Sequence, residues 1–441
     1  MVMRYLLPLL LVFPALAADA LRSDNAELEQ RLEPLKQAAE AGDPAQTRQV
    51  YLHYGFAGMQ EQAEAWAAKF LDQLRERAEA GDLRAMNTLG RAYLLGDACI
   101  VADPAQALLW YTRAADAGDA DSAYMLGDIL EKQQQSAQAK QAYARAYGLY
   151  RREAERDNKP EPRFRAAYMQ LMGQGVPADP AAATAELERL AGEHYLPALY
   201  QLFRHYTGAG NEPAAFACAR RLADEGQDAK MAYVVADAYL KGKGVAANPE
   251  EGERWLARAV EAGIPAAQYH RAWELEQAGK DAEAYPLYSA AAAQGHADAT
   301  LRAGKMLLEG RGTDRDDSAG LAYLQRACDA YRSPIAPYEL GLYYDGVGER
   351  RLADSWYSIA SDRGLVEAMP RRGLLHLDPF SEQAWSPTET YRWWKIAADA
   401  GDATARLYLR LYLWVFTPLL LLLVFGMPIL LVHWLKRRAE R

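Results

Sequence analysis

The chain is poor in cysteine, in histidine and in positive charge, and each shortage excludes a class of protein. Three cysteines, Cys99, Cys218 and Cys328, stand 119 and 110 residues apart. They cannot build a disulfide scaffold, no CxxC metal knuckle exists, and all three are expected to be buried free thiols. Seven histidines are scattered, at 53, 194, 205, 270, 296, 376 and 433, and no two are four residues apart. A HExxH-type ligand pair is therefore absent, as are a G-x-S-x-G nucleophile elbow and a P-loop. Lys and Arg total 50 against 59 Asp and Glu, a net charge of -9. That balance carries no nucleic-acid footprint. No catalytic, cofactor-binding or metal-binding set emerges, so the expectation is a non-enzymatic protein without a cofactor. At 51% hydrophobic and 25% charged residues the chain is neither disordered nor fibrous.

Long apolar runs are confined to the two ends. Residues 1–20 read MVMRYLLPLLLVFPALAADA, with Arg4 before an apolar run and Ala15-x-Ala17 after it. This is the pattern of a secretory signal peptide, expected to span 1–17 and to be cut after Ala17. From Leu411 to Leu435 there are 25 residues without Lys, Arg, Asp or Glu. As a helix that run would be roughly 37 Å long, enough to cross a bilayer. Trp414 and Trp434 stand near its ends, and Lys436, Arg437, Arg438 and Arg441 follow. By the positive-inside rule the tail 436–441 is cytoplasmic and the bulk of the chain lies on the other side. The expected location is a bacterial inner membrane, single-pass, with the bulk of the chain in the periplasm.

Between the ends the chain repeats. Helix-like runs close on glycine at Gly42, Gly81, Gly118, Gly192, Gly226, Gly263, Gly295, Gly364 and Gly401, mostly 32–39 residues apart. That period marks a helical repeat array. Within one period, Ala85, Leu89 and Tyr93 share a helix face, Gly96 ends that helix, and Asp103-Pro104 opens a second. Leu108, Tyr111 and Ala115 continue the apolar face to Gly118. GQGVPADP (Gly173 to Pro180) and GKGVAANP (Gly242 to Pro249) repeat the turn, and Gly310-Arg311-Gly312 begins a weaker copy. These G-x-G elements follow helices rather than a strand, which argues against a dinucleotide fingerprint. Residues 127–162 lack the glycine turn, and 376–390 hold a longer loop.

The phrases Ala85–Gly96, Ala107–Gly118, Ala336–Gly348 and Tyr391–Gly401 resemble the Sel1-like repeat, a relative of the tetratricopeptide repeat. The resemblance implies an all-α, right-handed superhelical solenoid of helix-turn-helix units, to which the uncharged run adds one expected C-terminal transmembrane helix. About ten hairpins would fill 43–405, with 18–42 as an N-terminal capping helix and 411–435 as the span. In layout the chain is also similar to Sel1-type periplasmic scaffolds of bacterial alginate and exopolysaccharide secretion. Such scaffolds have a lipid-anchored N-terminus; no cysteine stands near the expected cut here, so a C-terminal span rather than a lipid anchor is the expected tether.

Two before the Leu-Gly pair of each unit stand Tyr124, Phe164, Tyr200, Tyr233, Tyr269 and Tyr338, with Asn87 and Leu301 in two others. Aromatics at the repeat spacing can line a concave binding face or simply pack, and the sequence leaves both open. Trp273 and Trp393-Trp394 share the ambiguity. The reading is a membrane-anchored scaffold whose partners are envelope proteins such as polysaccharide synthase or export components, with polysaccharide as a second candidate ligand. The alternative is a membrane-tethered regulatory adaptor that passes an envelope signal to a membrane partner.

Overall fold

The computed structural model describes residues 27–96, 99–377 and 386–416. The expected signal peptide, most of the long loop 376–390, residues 417–435 of the expected span and the basic tail lie outside the described residues. Among the described residues every regular element is helical, and no helix is long and apolar enough to cross a membrane. The chain divides into two compact units after Gly208.

The first unit contains α1 (27–40), α2 (Pro44–Phe56), α3 (Gln60–Glu79), α4 (Leu83–Leu95), α5 (Pro104–Asp116), α6 (Ala120–Lys132), α7 (Ser136–Asp157), α8 (Pro160–Met172), α9 (Pro180–Gly192) and α10 (Leu196–Gly208). The second contains α11 (Glu212–Glu225), α12 (Ala229–Lys241), α13 (Pro249–Glu261), α14 (Pro265–Gln277), α15 (Asp281–Ala293), α16 (Ala297–Glu309), α17 (Asp317–Tyr331), α18 (Ile335–Gly346), α19 (Arg350–Asp362), α20 (Ala368–Leu377), α21 (Pro387–Asp399) and α22 (Ala403–Leu411). A π-helical turn, Tyr412–Phe416, follows. Within each unit an even-numbered helix pairs most closely with the odd-numbered helix after it, as in α6 with α7 and α12 with α13.

Local chemistry sets the helix ends. The Asp82, Asp103 and Asp228 carboxylates accept backbone N–H groups of the first turn that have no partner inside the helix. Pro104, Pro180 and Pro249 occupy first-turn positions, where a missing N–H costs nothing. Where the glycine turn is missing, exposed Gln133–Gln135 make the connection, with Gln134 at φ 61°, and α7 extends to 22 residues.

Packing within a pair rests on small residues facing large rings. A Cβ on Gly127 of α6 would lie 2.6 Å from the Tyr143 ring of α7, and one on Gly341 of α18 would lie 2.5 Å from the Tyr357 ring of α19. Gly90 meets Tyr111 and Gly373 meets Trp394 in the same way. In α12–α13 and α16–α17 the roles reverse, with Gly252 under Leu240 and Gly320 under Leu308. Burial pushes the Tyr111 hydroxyl up to about 12. Rings so deeply placed need a partner for their hydroxyls. Tyr143 donates to Glu131 at 2.9 Å and Tyr288 donates to Glu276 at 2.8 Å, each carboxylate lying one turn beyond the small residue. At the matching place before Tyr357 stands Asp345, one methylene shorter, and the buried Tyr357 hydroxyl has no hydrogen-bond partner among the described residues.

Packing between successive pairs uses the backbone. Gly244, at φ +70°, comes so close to the start of α11 that a Cβ would lie 2.2 Å from the Glu212 carbonyl oxygen. Gly175 and Gly312 make the same approach to Tyr143–Ala144 and to Asp281. The second glycine of each G-x-G is therefore a seat for the preceding second helix. At the other end of the second helices, Arg77 donates to the Gly42 carbonyl at 3.2 Å, Arg258 to Ala223 at 2.8 Å, Gln294 to Gly263 at 2.9 Å and Arg363 to Cys328 at 3.0 Å. Arg326 does the same to Ala292. Each bond reaches a carbonyl at the end of the previous odd-numbered helix or in the turn just after it.

One expectation needs correction. Cys218 and Cys328 are buried, but Cys99 is only partly so, because it sits in the bend after α4 beside Gly55 rather than on a packed helix face. All three are free of disulfides.

Two substitutions test these contacts by thermal melting. Gly244→Ala adds about 1–2 kcal/mol of left-handed strain plus a backbone clash. Gly263→Ala has similar φ but open space around it, so it should cost clearly less. Equal costs would refute the seat. Asp345→Glu should stabilise the fold by about 1 kcal/mol by reaching the Tyr357 hydroxyl; a lowered melting point would contradict that pairing.

Candidate functional site

The six aromatic residues singled out in the sequence occupy one register on the first helices. Tyr124, Phe164, Tyr200, Tyr233 and Tyr269 are each the fifth residue of α6, α8, α10, α12 and α14, and Tyr338 is the fourth of α18. Asn87 and Leu301 hold the fifth place on α4 and α16. The structure extends the register to Arg48 on α2 and Leu407 on α22, which the aromatic pattern did not reveal, and on α20 it falls on Pro370, three residues before Gly373 as Tyr338 is before Gly341.

These residues are braces with one edge outward. Tyr124, Tyr269 and Tyr338 lie 5.5, 5.6 and 5.7 Å from the rings of Tyr143, Tyr288 and Tyr357, on the second helix of their own pair. Others reach the next first helix or its approach: Phe164 lies 5.6 Å from Tyr195, Tyr233 lies 6.1 Å from His270, and Tyr269 stacks on His296 at 4.6 Å and 18°. Asn87 makes the polar version, donating to Asp119 at 3.2 Å and Ser122 at 3.0 Å. Five of the six aromatics are half-buried, and burial raises the hydroxyl pKa of Tyr124, Tyr233 and Tyr269. Tyr200 is the most open at 38%. The three tryptophans divide. Trp273 is exposed, Trp394 is buried with its indole N–H donating to the Pro370 carbonyl at 3.1 Å, and Trp393 has the Arg372 guanidinium 4.0 Å from its ring.

Charged groups on these helices are cross-linked. Glu276, nearly buried, accepts from Arg311 at 3.2 Å and faces Arg302, while Lys305 of α16 reaches Glu339 of α18 at 2.8 Å. Among the described residues no three His, Cys, Asp or Glu side chains are placed to hold a metal ion. What the face offers is ring edges, hydrogen-bonding groups and paired charges at a regular spacing, which is the chemistry of recognition.

His296 couples this register to pH. It is the N-cap of α16, its Nδ1 accepts the Ala299 N–H at 3.3 Å, and burial lowers its pKa while Asp298 opposes. Protonation removes the acceptor and puts positive charge at a helix N-terminus. A folded pKa below the unfolded value means that the stabilisation is complete above about pH 6.5 and is lost as pH falls toward the folded value. His296→Asn keeps a cap that does not titrate, so the fall in melting temperature from about pH 7.5 to 5 should shrink. An unchanged fall would exclude His296 as its source.

Comparison with known proteins agrees with this architecture. The Sel1 repeat family model matches residues 83–119, 163–185, 229–264, 297–331 and 370–402. The copy at 336–348 is not among the matched segments, although α18 and α19 pair in the same manner. Among solved structures, a protective antigen of uropathogenic Escherichia coli with an SLR fold has 23% identity and a TM-score of 0.53, over 86% of this chain and 82% of that chain. A Sel1 repeat protein from Oxalobacter formigenes has 21% identity and a TM-score of 0.38, over 77% of this chain and 90% of that one. No curated protein matches the sequence at a significant level. Sel1 and tetratricopeptide-type repeats mediate protein–protein interactions, and such scaffold families are generally non-enzymatic. Five segments of the chain match the Sel1 repeat, and they are set in helix pairs built on one plan, so the chain carries Sel1-like repeats.

Proposed function

We propose that this protein is a periplasmic scaffold tethered to the inner membrane, holding components of a cell-envelope or exopolysaccharide assembly. The observation that carries the scaffold reading is the single register on the first helices. It places a side chain at the same position of one first helix after another, with Tyr200 and Trp273 exposed. Repetition of this kind suits a long contact with another macromolecule better than a single reaction centre. The membrane tether rests on the uncharged run from Leu411 to Leu435 and the basic residues after it. The described end of the chain is consistent with an approach to a bilayer: Leu407, Leu411, Leu413 and Trp414 are all exposed. Export rests on residues 1–17. The alginate-type assembly is the most specific form of the proposal and derives from the family resemblance.

Topology and partnership are tested together. Alkaline phosphatase fused after Ala405 should be active, whereas a fluorescent protein that folds only in the cytoplasm should fluoresce when fused after Arg441. The reverse pattern would refute the placement. A photo-crosslinking amino acid at Tyr200 or Trp273 should capture discrete envelope proteins from intact cells. Failure of both positions to capture any protein would refute the scaffold reading.

A further inference from the structure

The first helix pair departs from the plan in a way that leaves a lined groove. Its walls are α2 and α4, and its floor is Phe70 and Leu74 of α3. Two adjoining recesses run along it, of about 400 and 70 Å³. On α2 the place that holds glycine in α4 and α6 is taken by Tyr51, whose ring lies 5.6 Å from Phe70. Arg48 stands at the brace register. Where Asn87 ties α4 to α6, the Arg48 side chain is exposed and makes no hydrogen bond or ion pair among the described residues. Arg84 and Arg91 line the facing wall, also exposed and without such partners among the described residues.

The charge of the groove opposes that of the chain. Among the described residues four guanidinium groups line it, those of Arg48, Arg77, Arg84 and Arg91, against two carboxylates. Both carboxylates already serve as helix caps: Asp43 accepts the Ala45 N–H, and Asp82 accepts those of Arg84 and Ala85. Other basic groups of the first helices are paired with acidic neighbours, as in Arg165 with Glu161 and Lys305 with Glu339. Three open guanidinium forks above an apolar floor match carboxylates interspersed with aliphatic side chains. Arg84 and Arg91 are seven residues apart on α4, about 10 Å along the helix axis, which an extended peptide covers in about three residues.

We propose that the groove between α2 and α4 is a docking site for an acidic, leucine-containing peptide segment of a partner protein, gripped through Arg48, Arg84 and Arg91. The inference rests on the scaffold reading and names the chemistry of one of its contacts. Guanidinium–carboxylate pairs at an exposed groove make the affinity salt-dependent.

The test uses the full chain in detergent micelles and a fluorescein-labelled peptide of alternating glutamate and leucine, read by anisotropy. The glutamate peptide should bind at least about tenfold more tightly than its glutamine counterpart, and added salt should erase the difference. Arg84→Glu should cost about tenfold in affinity at unchanged melting temperature. Lys230→Glu, the same charge change at the same place on α12, should cost little. Equal losses in the two variants, no preference for glutamate over glutamine, or displacement of the peptide by a uronate oligosaccharide at lower concentration than by unlabelled peptide would each overturn the proposal. If crosslinking at Tyr200 or Trp273 captures envelope proteins but wild type ignores the glutamate peptide, this inference fails and the scaffold reading stands. If the peptide binds but neither crosslinking position captures a protein, the scaffold reading fails and the preference of the groove remains.

Discussion

The closeness of two paired helices governs the rest of this structure. A large ring on one helix lies directly on a glycine or alanine of the other, as Tyr143 does on Gly127 and Tyr288 does on the segment around Ala272. Side chains at both places would hold the axes apart and leave voids, whose cost grows with volume. The short approach buries the ring, the buried hydroxyl then requires an acceptor, and Glu131 or Glu276 supplies it. One steric fact thus dictates an apolar contact, a polar contact and the distance at which the following pair must stack.

Much of this could be read from the sequence because it depends on residues with few substitutes. Only glycine fits the turn at Gly244, so the phrase recurs visibly at Gly175 and Gly312. Asp103-Pro104 marks a helix start for reasons internal to that turn. The links between repeats were harder to see. Arg77, Arg258, Gln294 and Arg363 all donate to a carbonyl at or just past the end of the previous odd-numbered helix, but arginine and glutamine are interchangeable there and the acceptor has no side-chain identity. Periodicity in residue type cannot report a contact of that sort.

The candidate face was legible in position and not in depth. The aromatic spacing located the register from Tyr124 to Tyr338, yet whether a ring stands clear or leans on a neighbour depends on what lies across the gap. Tyr269 leans on His296, and Tyr200 stands more open. The register also continues at Arg48, Pro370 and Leu407, where residue type changes completely and no pattern of aromatics could follow it. The same change of residue at Arg48 converts a brace into an open charge.

The bonds from Arg77, Arg258 and Arg363 to main-chain oxygens have an evolutionary consequence. Because the receiving group is common to every amino acid, a duplicated or transplanted unit finds its anchor on whatever precedes it, with no matching mutation required. The array can therefore lengthen or shorten by whole modules while the outward side chains diverge freely, each copy being recruited to a different client.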